Sequence, residues 1–436
     1  MTGIQSLKEK IKIWPIALIL ILIFGWALES TAYPIDGYKY SRISRLLYLQ
    51  LVESDSIKGK KLIPGAKKSI NDIKLHLLGS PKPDSANYLP EVDPLLQKEI
   101  NKLFPHLNQN YSIALMDISE GKPIRYAERK PDQQYQPGSV GKLAVITGLF
   151  CELENLYPYD FKKRVSLLKT KKVKAGPWAL YDEHTVPIFD IKTKKRTKRQ
   201  VKADDVFTLY EWADHMMSVS NNGAAAVLWR EVILMSAFGD KYPSLTFDEA
   251  EEYFKSTKKS ELSERAISVV NEPLRALGIG HDEWRLGTMF TRGATNYVPR
   301  KGGSTGTPIG LMKWMLALER GDINDPESSL EIKRLLYMTD RRIRYASSPS
   351  LDSAGVYFKS GSLYKCDRNT APNCGKYRGN VYNYMNSVAI IEHPDSITYM
   401  VALMSNVKNK NSAYDHLTLA SQIDKVVRKK NERQDI

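Results

Sequence analysis

Strand-forming segments stand at both ends of the main body of this chain, helical patterns fill the interval, and no other feature narrows the fold so far. Residues 111–118 (YSIALMDI) are rich in strand formers, and the turn Glu120-Gly121-Lys122-Pro123 followed by 124–127 completes a hairpin. Three strand-rich segments, 355–363, 386–392 and 397–404, close the domain. Between the hairpin and these, Leu143, Val145, Ile146, Leu149 and Phe150 mark a helical zone from Ser139 with little polar surface, which should be buried. Thr208 with Glu211 forms a capping box that opens another helix. Residues 222–235, 246–254, 261–277 and 308–318 continue the pattern, the last starting favourably at Thr307-Pro308. An amphipathic helix at 413–429 follows the last strand, and 160–204 reads as a basic, turn-rich insertion with a hairpin at 186–202. This order predicts an α/β fold of the α+β kind: an antiparallel β-sheet flanked by helices, plus a helical lobe.

The N-terminus addresses the compartment. Lys8, Lys10 and Lys12 precede an unbroken apolar run over 13–28, with Trp14 and Trp26 near its ends. That length falls between a signal-peptide core and a comfortable membrane span. Two readings stand: an uncleaved anchor, or a signal removed before Tyr33 with Ser30 and Ala32 at the cleavage positions. Both leave the remainder outside the cytoplasm, because the positive flank stays inside. The chain is therefore divided into a cytoplasmic basic tail (1–12), a transmembrane anchor or signal sequence (13–30), a linker or preamble with a helical candidate at 65–78 (31–95), and a main folded domain (96–436) that carries the motifs below.

The formal charge of +15 raises nucleic acid as a partner. The basic runs carry no zinc-finger or RNP-type motif, and they read as solvated loops and helix faces, so nucleic acid is rejected. Cys366 and Cys374 lie in a polar, turn-rich stretch and are candidates for a small disulfide, while Cys151 reads as a buried free thiol. The seven histidines are scattered with none at i,i+4, which leaves no histidine-ligated metal pattern, and no cofactor is expected.

Three motifs carry chemistry. Ser139-Val140-Gly141-Lys142 is an S-x-x-K tetrad that puts a hydroxyl and an amine on one helix face, and a buried lysine of lowered pKa can activate a serine. Other S-x-x-K matches begin at Ser166, Ser256 and Ser362, but only Ser139 follows a Pro-Gly turn and opens an apolar helix. A P-loop fails at Gln136 and Leu143, and a G-x-S-x-G elbow fails at Pro137. Ser220-Asn221-Asn222, between two helices, offers a second hydroxyl and an amide. Lys359-Ser360-Gly361, on a strand, can bind a carboxylate while its glycine leaves room.

In this order, on these local structures, the motifs resemble those of the penicillin-recognising serine enzymes, most closely the class A β-lactamase fold, over residues 100–430. The stretch 216–225 (MMSVSNNGAA) is similar to that family's helix leading into S-D-N, and Thr307-Pro308 to the end of its Ω-loop. The resemblance implies Ser139 as acylated nucleophile, Lys142 as its base and Ser220 as proton relay. It implies Asn222 on the substrate amide, Lys359 and Ser360 on a carboxylate beside Gly361, and the N–H groups of Ser139 and Ser362 as oxyanion hole. Asn221 stands where the family has aspartate and Ser360 where it has threonine; Lys142 and Ser220 lie further apart than usual. The larger departure is that 284–318 contains no Asp or Glu, whereas class A enzymes deacylate with an Ω-loop glutamate. Asn296 there could hold a water but not take its proton. The expectation is a membrane-tethered D-Ala-D-Ala-type peptidase or related acyl transferase acting on peptidoglycan peptides, which β-lactams acylate with poor or absent turnover. A class A-like β-lactamase using Glu283 or another base, and a non-hydrolytic β-lactam or muropeptide sensor, are the alternatives.

Overall fold

The computed structural model describes residues 34, 36–80, 89–337 and 342–432. Its centre is a five-stranded antiparallel sheet made of β1 (Tyr111–Asp117), β2 (Arg125–Arg129), β3 (Gly355–Lys365), β4 (Tyr382–Glu392) and β5 (Thr398–Asn406), in spatial order β2-β1-β5-β4-β3. The early hairpin thus docks on the last strand, with Ala114 opposite Ala402 and Met116 opposite Met400. Every residue of β1 is buried because both faces are covered. Side chains alternate between faces: Ala114, Met116, Ile390 and Met404 face the larger core, while Ile113, Leu115, Ile391 and Leu403 face the smaller one. Helix α8 (Ala413–Glu432) and the helix Pro94–Asn101 close the smaller core.

The larger core holds α2 (Lys142–Leu156), α3 (Leu209–Ser218), α4 (Asn222–Phe238), α5 (Lys259–Ala276), α6 (Pro308–Arg320) and α7 (Pro326–Tyr337). Helix α2 is buried without a break from Lys142 to Phe150, as its apolar sequence requires. The capping box of Thr208 and Glu211 opens α3, and the basic hairpin forms from Thr185–Asp190 and Lys195–Gln200. Cys366 and Cys374 are disulfide-bonded, and Cys151 is free and half-buried, donating to Asn324 Oδ1 at 2.8 Å.

Residues 36–80, expected as linker, fold onto the body. Helix α1 (Ser44–Glu53) inserts Leu46 and Leu49 into the larger core, and Arg45 forms a two-pronged buried pair with Asp214 of α3, Nε–Oδ2 2.6 Å and Nη2–Oδ1 2.5 Å. The helix expected at 65–78 does not form; only the 3-10 turns Pro64–Ala66 and Ile70–Asp72 do. Tertiary partners take its backbone groups instead. The Gly65 N–H donates to Asp352 O at 2.8 Å, Leu77 N–H to Glu319 O at 3.1 Å, and Lys74 O accepts from Lys333 Nζ at 2.5 Å. The apolar run at 13–28 lies outside the described residues, among which no helix is long and apolar enough to cross a membrane.

Candidate active site

The turn before α2 is clamped from two sides. Tyr135 and Gly306 exchange backbone hydrogen bonds of 2.9 Å, and Asn386 Nδ2 donates to Gln136 O at 2.9 Å and Pro137 O at 3.1 Å. Ser139 then sits in a 3-10 turn, Gly138–Gly141, that runs straight into α2. Strand β3 presses directly on this turn. A Cβ on Gly361 would lie 2.2 Å from Pro137 O and 3.0 Å from Ser139 N, so only glycine permits the approach. This contact brings the backbone of Ser362 beside that of Ser139.

Lys142 is fully buried, yet all its near partners are neutral oxygens. Its Nζ donates to Ser139 Oγ at 3.0 Å, Ser220 O at 2.6 Å, Asn222 Oδ1 at 2.7 Å and Ser220 Oγ at 3.3 Å. Burial pulls its pKa down to about 7, the charge of Asp182 opposing the shift. The Phe290 ring lies 5.2 Å from the ammonium. Ser220 takes a left-handed backbone, φ 59°, that turns both its carbonyl and its hydroxyl inward, a conformation costing on the order of 1–3 kcal/mol. Asn221 caps α4 by accepting from Ala224 N–H at 2.6 Å, which leaves Asn222 to face Lys142. Lys359 Nζ donates to Ser220 Oγ at 2.8 Å and Ser360 O at 3.2 Å. Burial, then the charges of Lys142 and Arg344, hold it well below the usual lysine range.

These residues open onto a cleft of about 560 Å³. Ser139, Asn222 and Ser362 line it, and a recess of about 80 Å³ adds Ser220, Lys359, Ser360 and Gly361. Every predicted catalytic or substrate-binding residue except Lys142 lines one of these two spaces, and Lys142 touches Ser139 from beneath. The basic insertion forms part of the mouth through Thr185 and Lys198, facing Lys376 and Tyr377 from just beyond the disulfide.

Sequence reasoning missed four contributors. Arg344, buried with φ 55°, lines the recess and donates to Gly361 O at 2.8 Å. Phe290 walls the cleft beside Lys142. Asp182 accepts the N–H groups of Asn222 at 2.6 Å and Gly223 at 3.2 Å, and His184 next to it lines both cleft and recess. None belongs to a motif; only the fold brings them in. The alternative base Glu283 is engaged elsewhere, accepting from Lys313 Nζ at 2.6 Å and Gly280 N–H at 2.7 Å, and neither it nor Asn296 lines the cleft. Leu286, Thr288, Met289 and Phe290 form the wall on that side.

A family model described as "Beta-lactamase enzyme family" matches residues 95–429. No curated protein matches the chain in sequence. Among solved structures, TLA-3 extended-spectrum β-lactamase is similar, with 14% identity, 76% of this chain and 96% of that one covered, and a TM-score of 0.50, a likeness of fold. The structure of PBP-A aligns at 15% identity over 79% of this chain and 99% of its own, TM-score 0.49. A class A β-lactamase representative from Bacteroides cellulosilyticus aligns at 14% identity, with 77% and 98% covered and a TM-score of 0.48.

Proposed function

The chain belongs to the beta-lactamase enzyme family, whose members it joins as a serine hydrolase, and from that premise we propose that it is a D-Ala-D-Ala-type peptidase or acyl transferase, working outside the cytoplasm and tethered to the membrane by residues 13–28. The observation that carries the choice of peptidase over β-lactamase is the wall beside Lys142. There Phe290 and Leu286 stand, and Glu283 is locked onto Lys313. That wall offers a β-lactam acyl-enzyme no carboxylate to activate water, and the carboxylate that does line the cleft, Glu183, comes from the loop before the basic hairpin.

Acylation follows from the contacts. A neutral Lys142 amine donates to Ser220 O and Asn222 Oδ1 and keeps its lone pair for the Ser139 proton, so Oγ attacks the carbonyl carbon. The N–H groups of Ser139 and Ser362 receive the oxyanion; losing one such donor lowers the rate by about 10²–10³. Ser220, touched by both Lys142 and Lys359, passes a proton to the leaving nitrogen. Lys359, Ser360 and Arg344 hold the terminal carboxylate in the recess, and Asn222 orients the substrate amide. Lys142 within reach of Ser139, under an open cleft, speaks for an enzyme over a sensor. The Cys366–Cys374 disulfide is in keeping with an oxidising compartment.

The test is covalent labelling by a fluorescent penicillin, followed by a chase. Label should form on Ser139, persist, and vanish in Ser139→Ala. Rapid loss with hydrolysed product would mark a β-lactamase, and labelling that survives Ser139→Ala would refute the nucleophile.

A further inference from the structure

A peptidase must still release its acyl group, and the acylation machinery supplies no separate base for that step. His184 sits at the cleft with Asp182 beneath it, in the loop just before the basic hairpin. Asp182 Oδ1 lies 2.6 Å from His184 Nδ1, and Asp182 is itself fixed, its side chain 3% exposed and its other oxygen accepting the first N–H groups of α4. Asn221 Nδ2 donates to His184 O at 3.0 Å, which ties the histidine backbone to the Ser220 turn. The side chain is 42% exposed, and the residue lines both cleft and recess in company with Ser139. With Nδ1–H given to the carboxylate, Nε2 keeps its lone pair.

We infer that His184, oriented by Asp182, is the general base that activates the acceptor on the Ser139 acyl-enzyme, a reading that rests on the acyl-enzyme proposal above. The water oxygen bonds to the acyl carbon while its proton passes to Nε2. His184 then returns that proton to Ser139 Oγ as the acyl C–Oγ bond breaks, so acyl-enzyme and water give a carboxylic acid and free serine. An amine acceptor would follow the same path to an amide. The route separates two kinds of donor. A peptide or thioester leaving group departs before the acceptor arrives, which vacates the cleft. The leaving nitrogen of a penicillin stays bonded to the acyl group and keeps the space filled.

The test uses the purified full chain with an N-acyl-D-alanyl thioester as turnover substrate and a fluorescent penicillin as acylation probe. In His184→Ala the penicillin should label at the wild-type rate, which also certifies the fold. Thioester kcat should fall by about 10² or more, with KM falling alongside so that kcat/KM, which reports acylation, stays within about twofold. Added imidazole should restore part of kcat in the variant and leave wild type unchanged. An unaltered kcat overturns the proposal, as does a parallel loss of kcat and kcat/KM, which would make His184 a wall of the substrate site. A wild-type chain that neither takes the penicillin nor turns over the thioester would instead overturn the acyl-enzyme reading itself.

Discussion

Two lysines in this molecule are equally hidden from solvent and surrounded in opposite ways. In the helical lobe, Lys333 of α7 meets the Glu319 carboxylate of α6 at 2.6 Å, both side chains fully buried. In the cleft floor, Lys142 meets a serine hydroxyl, a carbonyl and an amide oxygen. The first arrangement neutralises a buried charge with another; the second leaves the charge unmatched and pushes the proton off near pH 7. Burial is therefore structural in one place and chemical in the other, and the partner decides which.

The largest effect that sharpens this contrast is on rate. Lys142→Met should slow penicillin acylation by about 10³-fold, within the range of a lost general base. Measured by the appearance of covalent label, a loss under tenfold would give the base role to another group. Lys333→Met should leave acylation per folded molecule unchanged but strand Glu319, lowering stability by about 3–5 kcal/mol in denaturant unfolding. The double change Lys333→Met with Glu319→Leu should recover most of that loss. If it does not, the pair is more than mutual neutralisation.

The pH dependence comes next in size. Only neutral Lys142 can take the Ser139 proton, and its pKa stands at about 7. Acylation should rise about tenfold per pH unit below that value and level off above it, since one pKa unit corresponds to a factor of ten in the neutral fraction. A rate independent of pH between 5 and 8, on this order, would mean that the proton leaves Ser139 by another route.

The same contrast explains what could be read in the sequence. Ser139 and Lys142 were legible because i,i+3 spacing on a helix is local, and Lys359-Ser360-Gly361 because a strand motif is local too. The hairpin and late strands followed from strand-rich runs, and their pairing from their position at either end. Helix α7 escaped because Glu331 and Lys333 look like surface residues and are in fact fully buried, with Tyr40 donating to Glu331 at 2.9 Å and Lys333 paired with Glu319. Helix α1 carried its signal in Leu46, Leu49 and Val52, but the segment around it is polar. Arg344, Phe290, Asp182 and His184 reach the cleft through contacts distant in sequence, and no spacing announces them.

The smallest expected effect is also the most pointed, because it concerns the stability of the catalytic lysine's site. Replacing Lys142 by methionine removes the penalty of burying an amine among neutral partners, a gain for folding. It also deprives Ser220 O and Asn222 Oδ1 of a donor, and an unsatisfied buried acceptor costs about 1–3 kcal/mol. Here the acceptors adjoin an open cleft, Asn222 lining it directly, so water can replace the lost donor. The two effects should nearly cancel, leaving Lys142→Met within about 1 kcal/mol of wild type, in line with sites that trade stability for activity. A loss of the size expected for Lys333→Met would show that Lys142 braces the fold as the buried ion pair does, and the division between a chemical and a structural lysine would fall.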